Sequence, residues 1–127
     1  LQINGVAVAS PLGEIKVLVD HEFYDFEAKY LDGSTQLLIP APLEFGATEL
    51  IQDAATRAFD SLGCEGLARV DFFYREDELI INEINTMPGF TSTSMFPRMW
   101  KEGGIEYQEL ISILIEAALA RPLNVTR

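Results

Sequence analysis

The sequence predicts an α+β domain in which a mainly antiparallel sheet packs against helices. Strand patterns occur in the first 40 residues and again in residues 66–86, and two other segments space their apolar residues as helices do. The chain has 127 residues, of which 48% are hydrophobic. This length and composition suit a single domain with one ordinary core.

The N-terminal third contains three short strand patterns, "INGVAVA", "EIKVLVD" and "TQLLIP", separated by the turn residues Pro11 and Gly13 and by "LDGS". Between the second and third lies "HEFYDFEAKY", whose charges and aromatic residues do not alternate. We therefore expect an ordered loop with a functional role in this segment.

Two amphipathic helices are expected in the remainder. Apolar residues recur at helical spacing over residues 48–62, and Gly63 follows as a stop signal. A second helix is expected over residues 107–120, where Pro122 ends the pattern.

Composition excludes some function classes. The formal net charge of −11 argues against a nucleic-acid surface, because phosphate binding needs clustered Lys and Arg. An acidic chain fits a cation-dependent site better. Cys64, the single cysteine, cannot form an internal disulfide, which fits a reducing cytoplasm. We expect neither a membrane span nor a signal peptide, since no suitable apolar segment is visible.

The segments "GLARVDFFYR" and "ELIINEINT" flank a charged turn and predict a β-hairpin. A three-residue loop, 76–78, would set Asp71 opposite Glu83 and Arg69 opposite Asn85. Because side chains alternate along a strand, these four would share one face of the hairpin. A register slip of one residue would separate them.

Two interpretations of this cluster remain open. Asp71 and Glu83 would repel each other, whereas a hard divalent cation is satisfied by their oxygens together with Asn85, so Mg²⁺ is the natural ligand. An incomplete set of three protein ligands suits a metal that also binds nucleotide phosphates. The alternative is a salt bridge from Arg69 to either carboxylate on a solvated face.

Several segments carry a family resemblance. "GLARVDFF", "INEINTMPGFTSTSMFP" and "GIEYQELISILIEAALAR" resemble the C-terminal part of the D-alanine:D-alanine ligases of the ATP-grasp superfamily, and "FYDFEAKY" is similar to their mobile omega loop. The resemblance implies an ATP-grasp C-terminal fold. It also implies that residues 1–127 belong to a longer enzyme, without its N-terminal domain and most of its central domain, and would be inactive alone.

The resemblance also implies a reaction. ATP would phosphorylate the carboxylate of one D-alanine, and the amine of a second would attack the acyl phosphate, giving D-alanyl-D-alanine for peptidoglycan precursors. Two Mg²⁺ ions, or Mn²⁺ as an alternative, would assist. The parent enzyme would be cytoplasmic, with ATP and D-alanine as its ligands and no nucleic-acid or membrane partner. A homodimeric parent remains open.

By this resemblance, Asp71, Glu83 and Asn85 are the metal ligands. Arg69 would face the transferred phosphoryl group and the tetrahedral intermediate, with the backbone N–H of Gly89 as a second oxyanion donor.

Four further positions follow from the same resemblance. Ser94 and the backbone N–H of Met95 would hold the carboxylate of the second D-alanine. Lys29 would reach the ATP phosphates, and Tyr30 would close over the substrates. A tyrosine at this place resembles the D-alanine-adding enzymes, whereas D-lactate-adding relatives have a histidine-bearing loop.

Other interpretations stay open. Ser94 could cap the helix expected near Met95, and the hydroxyl residues at 91–93 could serve only as turn-formers or caps. The parent could be another ATP-grasp ligase, including one that adds D-lactate. A third alternative is a non-catalytic module whose acidic cluster is an ion-pair network.

Overall fold

The computed structural model describes residues 1–17 and 35–121. In these residues all strand pairs are antiparallel, in three two-stranded sheets, and the α+β prediction is confirmed. No helix in this part of the chain is long and apolar enough to cross a membrane. The elements are β1 (Gln2–Ile3), β2 (Val6–Ala7), β3 (Glu14–Val17), β4 (Thr35–Leu38), α1 (Phe45–Ser61), β5 (Arg69–Arg75), β6 (Glu78–Asn85), α2 (Met95–Glu102) and α3 (Tyr107–Leu119).

The first expected strand, "INGVAVA", is a small hairpin rather than one strand. Asn4 and Gly5 adopt positive φ values of 50° and 80°, and β1 pairs with β2 across them. Asn-Gly favours the two-residue type I′ turn, in which both central residues have positive φ. The prediction of one strand is wrong here because the Asn-Gly turn divides the pattern into two paired strands.

Strands β3 and β4 occupy parts of the second and third strand patterns. They pair antiparallel, from Glu14 opposite Leu38 to Val17 opposite Thr35. The segment between them, which includes the expected functional loop, lies outside the described residues.

The predicted helices are present with shifted ends. Helix α1 begins at Phe45, earlier than expected, and the positive φ of 61° at Gly63 follows its end. Glu44 at its N-cap makes no side-chain capping bond, so the sequence carried no capping signal for this start. Helix α2 begins at Met95 as expected, and α3 ends one residue before the expected position.

The main core lies between β1 and the two C-terminal helices. Its buried residues are Leu1, Phe96, Trp100 and Leu110, and Leu110 is completely inaccessible. The apolar faces of α2 and α3 therefore pack together, which holds the start of α2 in place. The partly buried residues around this cluster are Ile3, Leu67, Phe90, Ile105, Ile113 and Leu114.

The β5–β6 hairpin differs from its prediction near the turn. Its loop has two residues, Glu76 and Asp77, with φ values of 50° and 64°, instead of three. Phe72 pairs with Ile81 but Asp71 pairs with Glu83, so Asn82 is an extra residue in a β-bulge.

The bulge restores the predicted pairing beyond it. Asp71 lies opposite Glu83, and Arg69 lies opposite Asn85. Without the bulge, a two-residue turn would have paired Asp71 with Asn82 and turned Glu83 to the other face. The loop length was thus predicted wrongly, whereas the alignment of the four polar residues is confirmed.

Candidate active site

One cleft of about 1150 Å³ collects the site residues predicted in the described part of the chain. Its walls come from the open end of the β5–β6 hairpin, the following loop and α2, and also from α1 and the segment after β2. Two other predicted residues, Lys29 and Tyr30, lie outside the described residues. The predicted residues that line the cleft are Arg69, Asp71, Glu83, Asn85, Gly89, Ser94 and Met95.

Arg69 bridges the two carboxylates of this cluster. Its Nε donates to Asp71 Oδ1 at 2.8 Å, its Nη2 donates to Asp71 Oδ2 at 2.8 Å, and the same Nη2 donates to Glu83 Oε1 at 3.1 Å. The side chains of Arg69, Asp71 and Glu83 are 21%, 30% and 46% exposed. The ion-pair alternative is therefore observed, but on a partly buried face.

The paired arrangement changes the electrostatics of Arg69. Hydrogen bonding to Asp71 is the main cause that raises the pKa of Arg69, and partial burial opposes it. The guanidinium therefore remains a cation and offsets the repulsion between the carboxylates. With one positive group facing two carboxylates, the cluster still favours additional positive charge.

The donor set fits a hard cation. Asp71 Oδ2 and Glu83 Oε1 both accept from one guanidinium nitrogen, Nη2 of Arg69, which marks a point that both carboxylates can reach. Within residues 1–17 and 35–121, no three His, Cys, Asp or Glu side chains form a metal-binding group. A cation here would thus need the amide of Asn85 and oxygens from a ligand such as nucleotide phosphate.

Asn85 also shapes the loop that leaves the hairpin. Its Oδ1 accepts the backbone N–H of Met87 at 2.9 Å, which forms a local turn. One lone pair of that oxygen remains for another partner. The residue can therefore serve as both a turn-former and a ligand.

Ser94 occupies the N-cap position of α2 but makes no side-chain capping bond. Its Oγ instead accepts the backbone N–H of Thr91 at 3.0 Å and lies 2.8 Å from Thr91 Oγ1. A Cβ atom added to Gly89 would meet Ser94 Oγ at 3.1 Å, so the glycine leaves room for this hydroxyl. The described geometry therefore differs from the simple capping alternative, and Thr91 does form a turn with Ser94.

Tyr107 holds the site loop against the core, and sequence reasoning assigned it no role. Its hydroxyl donates to the carbonyl oxygen of Phe90 at 2.7 Å. The Phe90 ring lies 5.6 Å from the Tyr107 ring and 5.9 Å from the Phe96 ring, between ring centroids. An aromatic residue at the first position of a helix was the available signal, but only the fold shows what it contacts.

Comparison with known proteins identifies a family for this chain. Residues 1–116 match the family model described as D-ala D-ala ligase C-terminus. A D-alanine–D-alanine ligase of Streptomyces griseus is 54% identical over 114 residues, which cover 89% of this chain and 29% of that protein. The chain spans about a third of the length of the curated relatives it matches.

Solved structures show the same similarity. The VanG D-Ala:D-Ser ligase of Enterococcus faecalis aligns with a TM-score of 0.73 and 37% identity, over 85% of this chain and 31% of that one. A D-alanine–D-alanine ligase of Bacillus anthracis complexed with ATP aligns with a TM-score of 0.69 and 26% identity, over 87% of this chain and 34% of that one.

Proposed function

The chain belongs to the D-alanine–D-alanine ligase C-terminal family, and we propose that it forms the metal and second-substrate side of an ATP-dependent D-alanine:D-alanine ligase. The observation that carries this proposal is the cleft that Asp71 and Glu83, which pair across the hairpin, line together with Gly89 and Ser94. Further parts of the active site would come from Lys29 and Tyr30 and from the rest of a longer protein, since this chain spans about a third of the length of the curated relatives it matches.

The proposed reaction has two steps. A carboxylate oxygen of the first D-alanine attacks the γ-phosphorus of ATP, which releases ADP and gives an acyl phosphate. The neutral amine of the second D-alanine then attacks the acyl carbon and gives up one proton as the amide forms, and phosphate leaves with the electron pair of the broken C–O bond. The product, D-alanyl-D-alanine, would serve peptidoglycan synthesis in the cytoplasm.

Asp71, Glu83 and Asn85 would hold Mg²⁺, with Mn²⁺ as a substitute and a second ion in the complete site. A cation held there would neutralise charge on the ATP phosphates. For these ligands to bind it, Asp71 and Glu83 would exchange the Arg69 guanidinium for the metal. The released guanidinium would then face the transferred phosphoryl group. This proposal places that group on the face of the hairpin that carries Arg69.

The loop after the hairpin would stabilise the acyl-transfer step. The backbone N–H of Gly89, together with Arg69, would donate to the developing oxyanion. Ser94 and the backbone N–H of Met95 would bind the carboxylate of the second D-alanine. Tethering of this loop through Tyr107 supports the proposal, because oxyanion donors act best when they are held in place before reaction.

Two further residues of the proposed site, Lys29 and Tyr30, lie outside the described residues. Lys29 would contact ATP phosphates, and Tyr30 would close over the substrates. Tyr30 carries no charge near pH 7, whereas a protonated histidine would repel the ammonium form of an amino acid and favour a hydroxy acid. We therefore assign D-alanine rather than D-lactate as the second substrate.

The test uses the full-length protein that contains this chain, supplied with ATP, Mg²⁺, D-alanine and an excess of D-lactate at pH 6 to 7. D-Alanyl-D-alanine should be the main product, with one ADP released for each dipeptide. A majority of D-alanyl-D-lactate would overturn the substrate assignment. Absence of ADP release with every acceptor, including D-serine, would favour the non-catalytic module.

A further inference from the structure

The site loop contains a chain of three hydroxyl groups. Ser94 Oγ and Thr91 Oγ1 lie 2.8 Å apart, and Thr91 Oγ1 and Thr93 Oγ1 lie 3.2 Å apart. Ser94 Oγ also accepts the backbone N–H of Thr91 at 3.0 Å. Ser94 is partly buried in the cleft, whereas Thr91 and Thr93 are exposed. Thr91 thus contacts Ser94 through both its backbone and its side chain.

The available protons allow two directions for the hydrogen bond between Ser94 and Thr91. A serine hydroxyl has one proton to donate and two lone pairs that accept, and the Thr91 N–H already occupies one lone pair. If Ser94 donates to Thr91, its proton is used, and its remaining lone pair suits a ligand that donates. If Thr91 donates to Ser94, both lone pairs are filled, and the Ser94 proton is available for an acceptor.

A carboxylate selects the second direction, because it can only accept hydrogen bonds when ionised. We propose that Thr91 is a positioning residue: its hydroxyl donates to Ser94 and so directs the Ser94 proton toward the carboxylate of the second D-alanine. This inference rests on the proposed function of Ser94. Thr93 can donate to Thr91 in turn, so that each hydroxyl polarises the next one.

The local structure leaves Ser94 free for this task. Its hydroxyl makes no capping bond to α2, and the absence of a side chain at Gly89 keeps the adjacent space open. The backbone N–H of Thr91 would persist in any variant that keeps the main-chain path. Thr91→Val therefore removes the hydroxyl while conserving the shape of the side chain and the backbone bond.

The experiment is a double-mutant cycle in the full-length protein, with Thr91→Val, Ser94→Ala and their combination. The Michaelis constants of ATP and of each D-alanine are measured. The two D-alanine constants are separated by fitting the dependence of the rate on D-alanine concentration to two binding sites. Ser94→Ala should raise the constant for the second D-alanine by about ten- to a hundredfold. Thr91→Val should raise the same constant by about three- to tenfold, with that for ATP unchanged.

The decisive result is the coupling between the two sites. Thr91→Val should have no further effect when Ser94 is already alanine, because it acts only through that hydroxyl. Thr91→Ser, which keeps the hydroxyl, should leave the constant for the second D-alanine at its wild-type value. Thr93→Val removes a neighbouring hydroxyl that does not contact Ser94, and its effect should be smaller than that of Thr91→Val. Thermal unfolding of all variants identifies any loss of fold.

The possible failures are distinguishable. An unchanged constant for the second D-alanine in Ser94→Ala would overturn the role of Ser94 and the role of Thr91 with it. A strong effect of Ser94→Ala combined with no effect of Thr91→Val, or with fully additive effects, would overturn the Thr91 assignment alone. Equal changes in the constants for ATP and D-alanine, accompanied by a lower unfolding temperature, would also overturn it in favour of a purely structural role.

Discussion

The two ends of the β5–β6 hairpin carry the same residue types in different environments. At the turn, Arg75 pairs with Glu76 at 3.2 Å, and their side chains are 86% and 80% exposed. At the open end, Arg69 pairs with Asp71 at 2.8 Å and with Glu83 at 3.1 Å on a partly buried face. Charge and residue type alone therefore do not distinguish a site from a solvated surface.

The two ion-pair clusters differ in solvent exposure and in geometry. The pair at the turn is surrounded by water, where such ion pairs contribute about 0 to 1 kcal/mol. At the open end, the guanidinium donates to both oxygens of Asp71, and its shared nitrogen brings Glu83 into the same cluster. Fixed geometry and reduced solvent contact make these carboxylates suitable for binding a cation. The turn thus provides matched controls for the site.

The largest expected difference concerns turnover. Asp71→Asn and Glu83→Gln should each lower turnover of the full-length protein by orders of magnitude, because each removes a charged group of the proposed metal site. Glu76→Gln and Glu78→Gln, which remove the same charge near the turn, should leave it unchanged. Steady-state ADP release at saturating Mg²⁺ measures the effect, and thermal unfolding checks the fold. Near wild-type turnover in both site variants would refute the metal assignment.

A smaller difference is expected in metal affinity. The Arg69→Met variant should bind Mn²⁺ roughly fivefold more tightly in the absence of nucleotide. The Arg69 guanidinium competes with the cation for the carboxylates, and removal of an ion pair worth about 1 kcal/mol changes the affinity by about this factor. Arg75→Met should not change it. Titration of the free Mn²⁺ signal by electron paramagnetic resonance gives both affinities. Weaker binding in Arg69→Met than in Arg75→Met would mean that the guanidinium does not compete with the cation.

The smallest effect is expected at the turn itself. Glu76 has a positive φ of 50°, a conformation that asparagine adopts more readily than glutamate. Glu76→Asn should therefore stabilise the protein by ~0.5 kcal/mol with turnover unchanged, since the lost ion pair to Arg75 is highly exposed. Urea unfolding monitored by circular dichroism measures this change. A loss of stability would show that the exposed pair contributes more than the backbone strain.

Much of the fold followed from local patterns. Apolar spacing located α1 and α3, and stop signals bounded the end of α1, because helix periodicity is written in neighbouring residues. Strand alternation likewise set Asp71 and Glu83 on one face, and that placement is confirmed. The family also followed from the sequence, since the segments that resemble it are contiguous.

The sequence by itself thus determined the fold class, the helix positions and the polar set of the hairpin. Tertiary structure decided how those residues are used: the bulge at Asn82 corrects the register of a shorter turn, Arg69 joins the two carboxylates, and Tyr107 tethers the loop. Periodicity describes which face a side chain takes but not its distance from residues far along the chain. Those distances arise only when the elements pack, and they determine which charged and hydroxyl groups contact one another.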